Sequence, residues 1–246
     1  MSGRYTAFYS HILGQELGVM MYGNAGLPFL VFPSQNGKCN DYAGFGMVDV
    51  FQPLMDAGKL RLYCIDSLDE QTWSDYNRPP HARMERQEAW MKHITQEFVP
   101  FIYRDSGYQG RLATTGCSLG AFHAANTLLR FPDLFGTVIS LSGAYDARWL
   151  LYGYMDELVY LNSPLHSIQG MPHGHPFIKK YNDSKIILCC GQGAWEDEMQ
   201  RSLRLLETAM AEKGINAWVD IWGYDVNHDW DWWRRQLAYF LSVLFN

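Results

Sequence analysis

The sequence lacks the features that mark a nucleic-acid-binding or membrane-embedded chain. It has no run of basic residues, and its formal net charge of −6 does not suit a surface for phosphate backbones. It has no apolar stretch of the roughly 18 residues that span a bilayer, and its first residues lack the apolar core of a secretory signal. We therefore expect a cytoplasmic protein that binds neither nucleic acid nor a membrane.

Cysteine and histidine are too scattered to predict a metal site. The five cysteines are an odd number without metal-ligand spacing, which favours reduced, buried thiols. His173 and His175 flank one residue, but no carboxylate or cysteine cluster completes a ligand set, so we interpret them as loop residues. We expect no metal and no cofactor.

What the sequence does contain is a regular alternation of strand and helix patterns. With 246 residues, 48% of them hydrophobic, the chain can bury one sizeable core. An antiparallel strand pair is predicted over residues 5–22, and alternating strands and helices lead to an aromatic C-terminal helix over 231–244. Residues 79–103 predict a long helix that is interrupted near Pro100. This order predicts an α/β fold, a mostly parallel sheet with helices on both faces, in one domain (1–246) with a cap-like excursion over 147–181.

The most informative motif is the pentapeptide Gly116-Cys117-Ser118-Leu119-Gly120, which lies between a strand pattern and a small-residue helix pattern. A nucleophile elbow requires this context, because a serine on a sharp strand-to-helix turn needs small residues two positions before and after it. The turn would raise the Ser118 hydroxyl above the sheet edge and place the Leu119 N–H where an oxyanion develops. Ser118 is therefore the predicted nucleophile, and Cys117 is predicted to be a small buried residue.

A serine nucleophile needs a histidine base and an acid that orients the histidine. In α/β-hydrolases the acid and then the histidine follow the serine, each in a loop after a later strand. Glu196 and Asp197 lie in the loop after the strand pattern that ends at Cys190, and His228 lies between the last strand and last helix patterns. His228 alone among the eight histidines occupies the required position, so it is the predicted base.

These segments together resemble a known family. The elbow, the acidic turn after Gln192 and the aromatic stretch that begins at His228 are similar to the putative esterase family of α/β-hydrolases. That family includes S-formylglutathione hydrolases, tributyrin and feruloyl esterases, and mycolyltransferases. The resemblance runs from Phe29 to the C-terminus and implies the α/β-hydrolase fold, with Ser118 as nucleophile, Glu196 as acid and His228 as base. The family usually has Asp in the acid position, so Glu196 is a departure and Asp197 is the alternative.

The second oxyanion donor is expected in the loop after the buried strand pattern 29–32. The family usually has a His-Gly turn there, whereas this chain continues Pro33-Ser34-Gln35-Asn36. Pro33 has no N–H to donate. We therefore predict the Gln35 N–H as the donor, with Ser34 and Asn36 as alternatives.

The predicted function is hydrolysis of small carboxylic esters through an acyl-enzyme. Acyl transfer to an acceptor other than water would use the same residues, and a non-catalytic binding protein on this fold is the alternative from another class. His123, in the elbow helix, is expected in the core, and assembly into a homo-oligomer is left open. Aromatic and histidine residues in the excursion predict either a pocket for an acyl or aryl group or a packed cap core. They are Trp149, Tyr152, Tyr154, Tyr160 and His166.

Overall fold

One eight-stranded sheet organises the computed structural model, which describes residues 3–245 of the chain. The strands are β1 (Arg4–Ser10), β2 (Gln15–Tyr22), β3 (Leu27–Phe32), β4 (Leu60–Ile65), β5 (Leu112–Cys117), β6 (Phe135–Leu141), β7 (Lys185–Cys190) and β8 (Trp218–Ile221). Their order across the sheet is β1-β2-β4-β3-β5-β6-β7-β8. The predicted antiparallel pair is β1 and β2, and β2 is also antiparallel to β4. All other neighbouring strands are parallel, as predicted.

The central strands are apolar on both faces because both faces are covered. In β3, Phe29 and Val31 belong to one buried cluster, whereas Leu30 and Phe32 belong to another on the opposite face. A strand buried on both sides has a continuous apolar sequence instead of an alternating one. The short run that follows Pro28 therefore marks the middle of the sheet.

Helices cover the sheet on both sides. They are α1 (Asp41–Gly44), α2 (Met47–Asp56), α3 (Pro80–His93), α4 (Val99–Ser106), α5 (Leu119–Arg130), α6 (Ala147–Leu150), α7 (Glu157–Leu161), α8 (Pro164–Gly170), α9 (Pro176–Asn182), α10 (Asp197–Glu212) and α11 (Trp230–Leu244). Phe51 of α2 and Phe240 of α11 pack in one cluster, whereas Trp90 of α3 and Leu128 of α5 pack in the cluster on the other face. No helix within residues 3–245 is long and apolar enough to cross a membrane.

The long helix predicted over 79–103 is present, but its irregularity lies one turn before Pro100. Ile94–Phe98 form a π-helical turn that joins α3 to α4. Proline supplies no N–H and its ring crowds the carbonyl four residues earlier, so a wider turn accommodates it without ending the helix. The predicted interruption is therefore a local widening of the helix.

The segment predicted as an excursion contains the four short helices α6–α9, between β6 and β7. Ala147, Leu151 and Val159 from this segment pack with Trp73 and Phe122 in a third buried cluster. That packing holds α6 close to the carboxyl end of β5, where the elbow begins.

Candidate active site

The candidate residues meet because β3 to β8 run parallel, so their carboxyl ends lie at one edge of the sheet. Ser118 follows β5 directly. Glu196 lies in the loop after β7 and His228 in the loop after β8, and Gln35 lies in the loop after β3. Four loops that are distant in sequence therefore face the same space.

The Ser118 turn has the strained geometry of an elbow. Ser118 has φ of 57° and ψ of −125°, between the end of β5 and the start of α5. A side chain at Gly116 would overlap the Gly120 backbone, and one at Gly120 would overlap the Pro33 carbonyl oxygen. Glycine at both positions therefore lets the elbow, α5 and the loop after β3 approach closely.

His228 faces the Ser118 hydroxyl. Its Nε2 lies 2.9 Å from Ser118 Oγ. Backbone bonds hold its loop, since the His228 N–H donates to the Ala194 carbonyl at 3.0 Å and the Ala194 N–H donates to Asn227 Oδ1 at 2.8 Å. The Trp233 ring meets the imidazole nearly edge to face, with centroids 4.8 Å apart. The imidazole is thus fixed by two loops and one aromatic contact.

Of the two predicted acids, only Glu196 points to the imidazole. Its side chain is 1% exposed, and Glu196 Oε1 lies 3.5 Å from His228 Nδ1. That separation is longer than an ordinary hydrogen bond, and such bonds often tighten only when substrate binds. Asp197 is exposed and is the first residue of α10.

Ser142 is a site residue that sequence reasoning missed. Its hydroxyl donates to Glu196 Oε1 at 2.5 Å and accepts the Trp233 indole N–H at 2.9 Å. It is buried, follows β6 directly, and has φ of 59°. Its position after a strand adjacent to the elbow strand was the available signal. Ser142 holds the Glu196 carboxylate toward His228. Trp233 contacts both Ser142 and His228.

The backbone N–H groups of Leu119 and Gln35, the two predicted oxyanion donors, have no acceptor among the described residues. The N–H groups on either side of Gln35 are occupied. The Ser34 N–H donates to Asp41 at 2.8 Å, and the Asn36 N–H donates to Asp69 at 3.0 Å. Of the three donors that the sequence left open, only the Gln35 N–H is therefore available to a bound oxygen.

A cavity of about 660 Å³ opens beside Ser118. Its walls are Gln35, Trp73, Tyr76, Ser118, Leu119, Ala144, Asp146, Arg148, Trp149, Leu150, Tyr152, Gly153, Met199 and Arg201. Trp149 and Tyr152 of the excursion thus line it, whereas Tyr154, Tyr160 and His166 do not. Part of the excursion forms a pocket wall and part of it packs as a cap.

The charged groups at the cavity are largely paired. The Arg201 guanidinium donates to Glu198 at 2.7 Å and to Asp146 at 2.9 Å. The hydrogen bond to Glu198 raises the pKa of Arg201 above its usual value. Arg148 lies 3.9 Å from the same Asp146 carboxylate. Two guanidinium groups and two carboxylates therefore balance, which leaves the wall formally neutral.

Cys117 is buried beside the nucleophile, and it lies 3.4 Å from the Tyr42 hydroxyl. Burial raises the pKa of its thiol well above the usual value, so the thiolate is disfavoured. Within residues 3–245, no three His, Cys, Asp or Glu side chains are arranged to hold a metal ion.

A comparison with known protein families finds one that matches most of the chain. Residues 10–242 match the family model described as putative esterase. The chain belongs to the putative esterase family. No curated protein sequence matches this esterase-family chain.

Solved structures of low sequence identity share the fold of this esterase-family member. A ferulic acid esterase is 15% identical with a TM-score of 0.77, and the alignment covers 99% of this chain and 98% of that one. An S-formylglutathione hydrolase from Agrobacterium tumefaciens is 13% identical with a TM-score of 0.74, covering 99% and 97%. A fluorophosphonate-binding serine hydrolase from Staphylococcus aureus is 11% identical with a TM-score of 0.73, covering 100% of both chains. These likenesses confirm the predicted α/β-hydrolase fold.

Proposed function

We propose that this member of the putative esterase family is a serine esterase that hydrolyses carboxylic esters through an acyl-enzyme. The observation that carries the proposal is the 2.9 Å contact between Ser118 Oγ and His228 Nε2 at a serine with φ of 57°. A serine is a weak nucleophile unless a base takes its proton. The elbow holds this hydroxyl out of the sheet and against such a base.

In the proposed mechanism, Ser118 Oγ attacks the ester carbonyl carbon while His228 Nε2 takes the hydroxyl proton. Glu196 stabilises the imidazolium that forms and keeps the Nδ1–H directed to itself, with Ser142 fixing the carboxylate. The Leu119 and Gln35 N–H groups stabilise the negative oxygen of the tetrahedral intermediate. The intermediate collapses as His228 protonates the leaving alcohol, and water then releases the acid by the same sequence of steps.

The cavity supports an uncharged substrate with an aromatic group. Trp73, Tyr76, Trp149 and Tyr152 give it flat apolar walls, and ring faces favour planar partners. The paired charges of its wall offer no net attraction for an anion. The five buried free cysteines suit a reducing compartment, so the proposal places the enzyme in the cytoplasm.

Covalent labelling tests the proposal. We expect a fluorophosphonate to modify Ser118 of the wild-type protein, and Ser118→Ala to lose both labelling and turnover of a nitrophenyl ester. Cys117→Ala is the matched control, because Cys117 is the adjacent residue and its thiol is buried. It should keep labelling and turnover. Full labelling of Ser118→Ala would overturn the assignment of the nucleophile.

The substrate class is tested with matched acyl groups. We compare nitrophenyl benzoate with nitrophenyl cyclohexanecarboxylate. Each kcat/KM is divided by the second-order rate constant for non-enzymatic hydrolysis of the same ester by hydroxide. This correction removes the difference in intrinsic reactivity between the two esters. A corrected preference for the benzoate is expected, and a preference for the saturated ring would contradict the aromatic pocket.

A further inference from the structure

A buried hydrogen bond between a histidine and an aspartate lies behind the loop that carries Gln35. His123 Nε2 is 2.9 Å from Asp69 Oδ1, and both side chains are only 1% exposed. The second carboxylate oxygen, Asp69 Oδ2, accepts the Asn36 N–H at 3.0 Å. One carboxylate thus joins the elbow helix α5 to the residue that follows Gln35.

The same segment also holds the Gln35 side chain. Gln35 Nε2 donates to Ser74 Oγ at 2.8 Å, and the Ser74 N–H donates to the Asp69 carbonyl at 2.8 Å. Asn36 has φ of 60°, in the left-handed region that asparagine adopts more readily than most non-glycine residues, and its N–H is bonded to Asp69 in that conformation. The positions of Gln35 and Asn36 are therefore imposed by the segment that begins at Asp69.

We propose that His123 and Asp69 are positioning residues that set the Gln35 N–H at the distance from Ser118 that a tetrahedral oxyanion requires. This inference rests on the proposed function, because it assigns a role to the loop donor of that site. Ser118 begins the turn into α5, and His123 lies on the second turn of the same helix. The nucleophile Ser118 and the loop that carries the Gln35 N–H are thereby both held by α5. Neither His123 nor Asp69 contacts the reacting atoms.

The hydrogen-bond pattern assigns the proton of His123 to Nε2. Nδ1 is buried and has no hydrogen-bond partner among the described residues. A proton on Nδ1 would bury an N–H without an acceptor, which costs more than burying a free lone pair. The imidazole therefore acts as a donor to Asp69. A substituted side chain that still places a hydrogen-bond donor at the Nε2 position is therefore expected to preserve the function of His123.

The first experiment measures the loop directly by amide NMR. The Asn36 N–H, which is bonded to a carboxylate, is expected to resonate downfield and to exchange slowly. His123→Leu should shift this resonance upfield and speed its exchange. His123→Gln, whose amide nitrogen reaches the Nε2 position, should retain the wild-type signal. Asp69→Asn provides a polar variant of the same size and should also lose the downfield shift, because the carboxylate charge is removed.

The second experiment separates positioning from stability. His123→Leu should lower kcat about 10- to 100-fold, below the ~10²–10³ expected for removal of a whole oxyanion donor, with KM within about threefold. The inhibition constant of a trifluoromethyl ketone, whose serine adduct carries the same oxyanion, should rise by the factor by which kcat/KM falls. His123→Gln should restore kcat. Leu128→Ala is the control, because Leu128 is buried in the same helix and has no polar atom to bond Asp69. It should lower Tm without lowering kcat.

The outcomes are distinct. An unchanged Asn36 resonance in His123→Leu or Asp69→Asn overturns the positioning role, and so does a loss of kcat in Leu128→Ala as large as that in His123→Leu. A wild-type protein that turns over no ester and takes no label at Ser118 overturns the proposed function instead. In that case the Asn36 resonance still decides whether His123 and Asp69 set the loop.

Discussion

Glu196→Gln is the substitution that most directly tests how His228 is activated. In wild type, a buried carboxylate lies 3.5 Å from His228 Nδ1, and in the proposed mechanism this imidazole becomes positively charged in the transition state. At an effective dielectric constant of about 20, two unit charges at this distance attract by about 5 kcal/mol. Since about 1.4 kcal/mol is a factor of ten, removing the charge is expected to lower kcat by roughly 10³- to 10⁴-fold. The glutamine amide can also oppose the Nδ1–H and favour the wrong tautomer, which acts in the same direction.

Asp197→Asn is the matched control, because it makes the same chemical change one residue later. Asp197 is exposed at the start of α10 and has no contact with His228. Its charge near the helix N-terminus contributes roughly 0.3–1 kcal/mol to stability and nothing to the transition state. We therefore expect kcat to stay within about threefold of wild type.

Initial rates with a nitrophenyl ester, together with fluorophosphonate labelling rates, measure both variants. Near-UV circular dichroism shows whether each is folded. The reverse pattern, a large loss in folded Asp197→Asn and none in folded Glu196→Gln, would transfer the role to Asp197. Full activity in both variants would refute the argument that a carboxylate supports the imidazole.

Three further outcomes follow from the packing and the ionisations. Gly120→Ala should lower both Tm and kcat, measured by thermal unfolding and ester turnover, because its methyl group would overlap the Pro33 carbonyl oxygen; an unchanged Tm would contradict that close approach. Native Cys117 should resist thiol reagents at neutral pH, because burial raises the pKa of its thiol, whereas the urea-unfolded chain should react; rapid modification of native protein would refute this. Burial alone would raise the pKa of Glu88, but the hydrogen bond and the positive charge of Arg130, and then the hydrogen bond from Asn162, outweigh it and hold that pKa below its usual value. Glu88→Gln should therefore lower the free energy of unfolding by about 1–3 kcal/mol at neutral pH. In urea titrations, the difference in free energy of unfolding between wild type and Glu88→Gln should disappear as pH falls through the pKa of the folded carboxyl. A difference that stays constant with pH would contradict the link between the ionisation of Glu88 and stability.

Much of the fold could be predicted because it is encoded locally. The continuous apolar run that ends at Phe32 and the antiparallel pair at the N-terminus both follow from side-chain periodicity, and the structure confirms both. The elbow could be predicted for a similar reason, since Gly116 and Gly120 must be small for steric reasons within one short segment. The position of His228 in the loop after the last strand followed from chain order alone.

Side chains that act across loops could not be derived in this way. Ser142 and Glu196 are 54 positions apart, and so are Asp69 and His123, and no local pattern reports a distance between such residues. The sequence placed Glu196 and Asp197 side by side as candidate acids. Only the tertiary structure showed which of them is buried and faces the imidazole.

The order of the strands, the glycine-flanked serine and the family resemblance were predictable from the sequence, because each depends on neighbouring residues or on order along the chain. Only the folded structure shows which of the three candidate N–H groups in the loop after β3 has no acceptor, and which side chains hold that loop in place. Neighbouring residues do not reveal these features, because hydrogen bonds and burial depend on separations of a few ångströms between segments. Those separations are set when the parallel strands bring their carboxyl ends to one edge of the sheet.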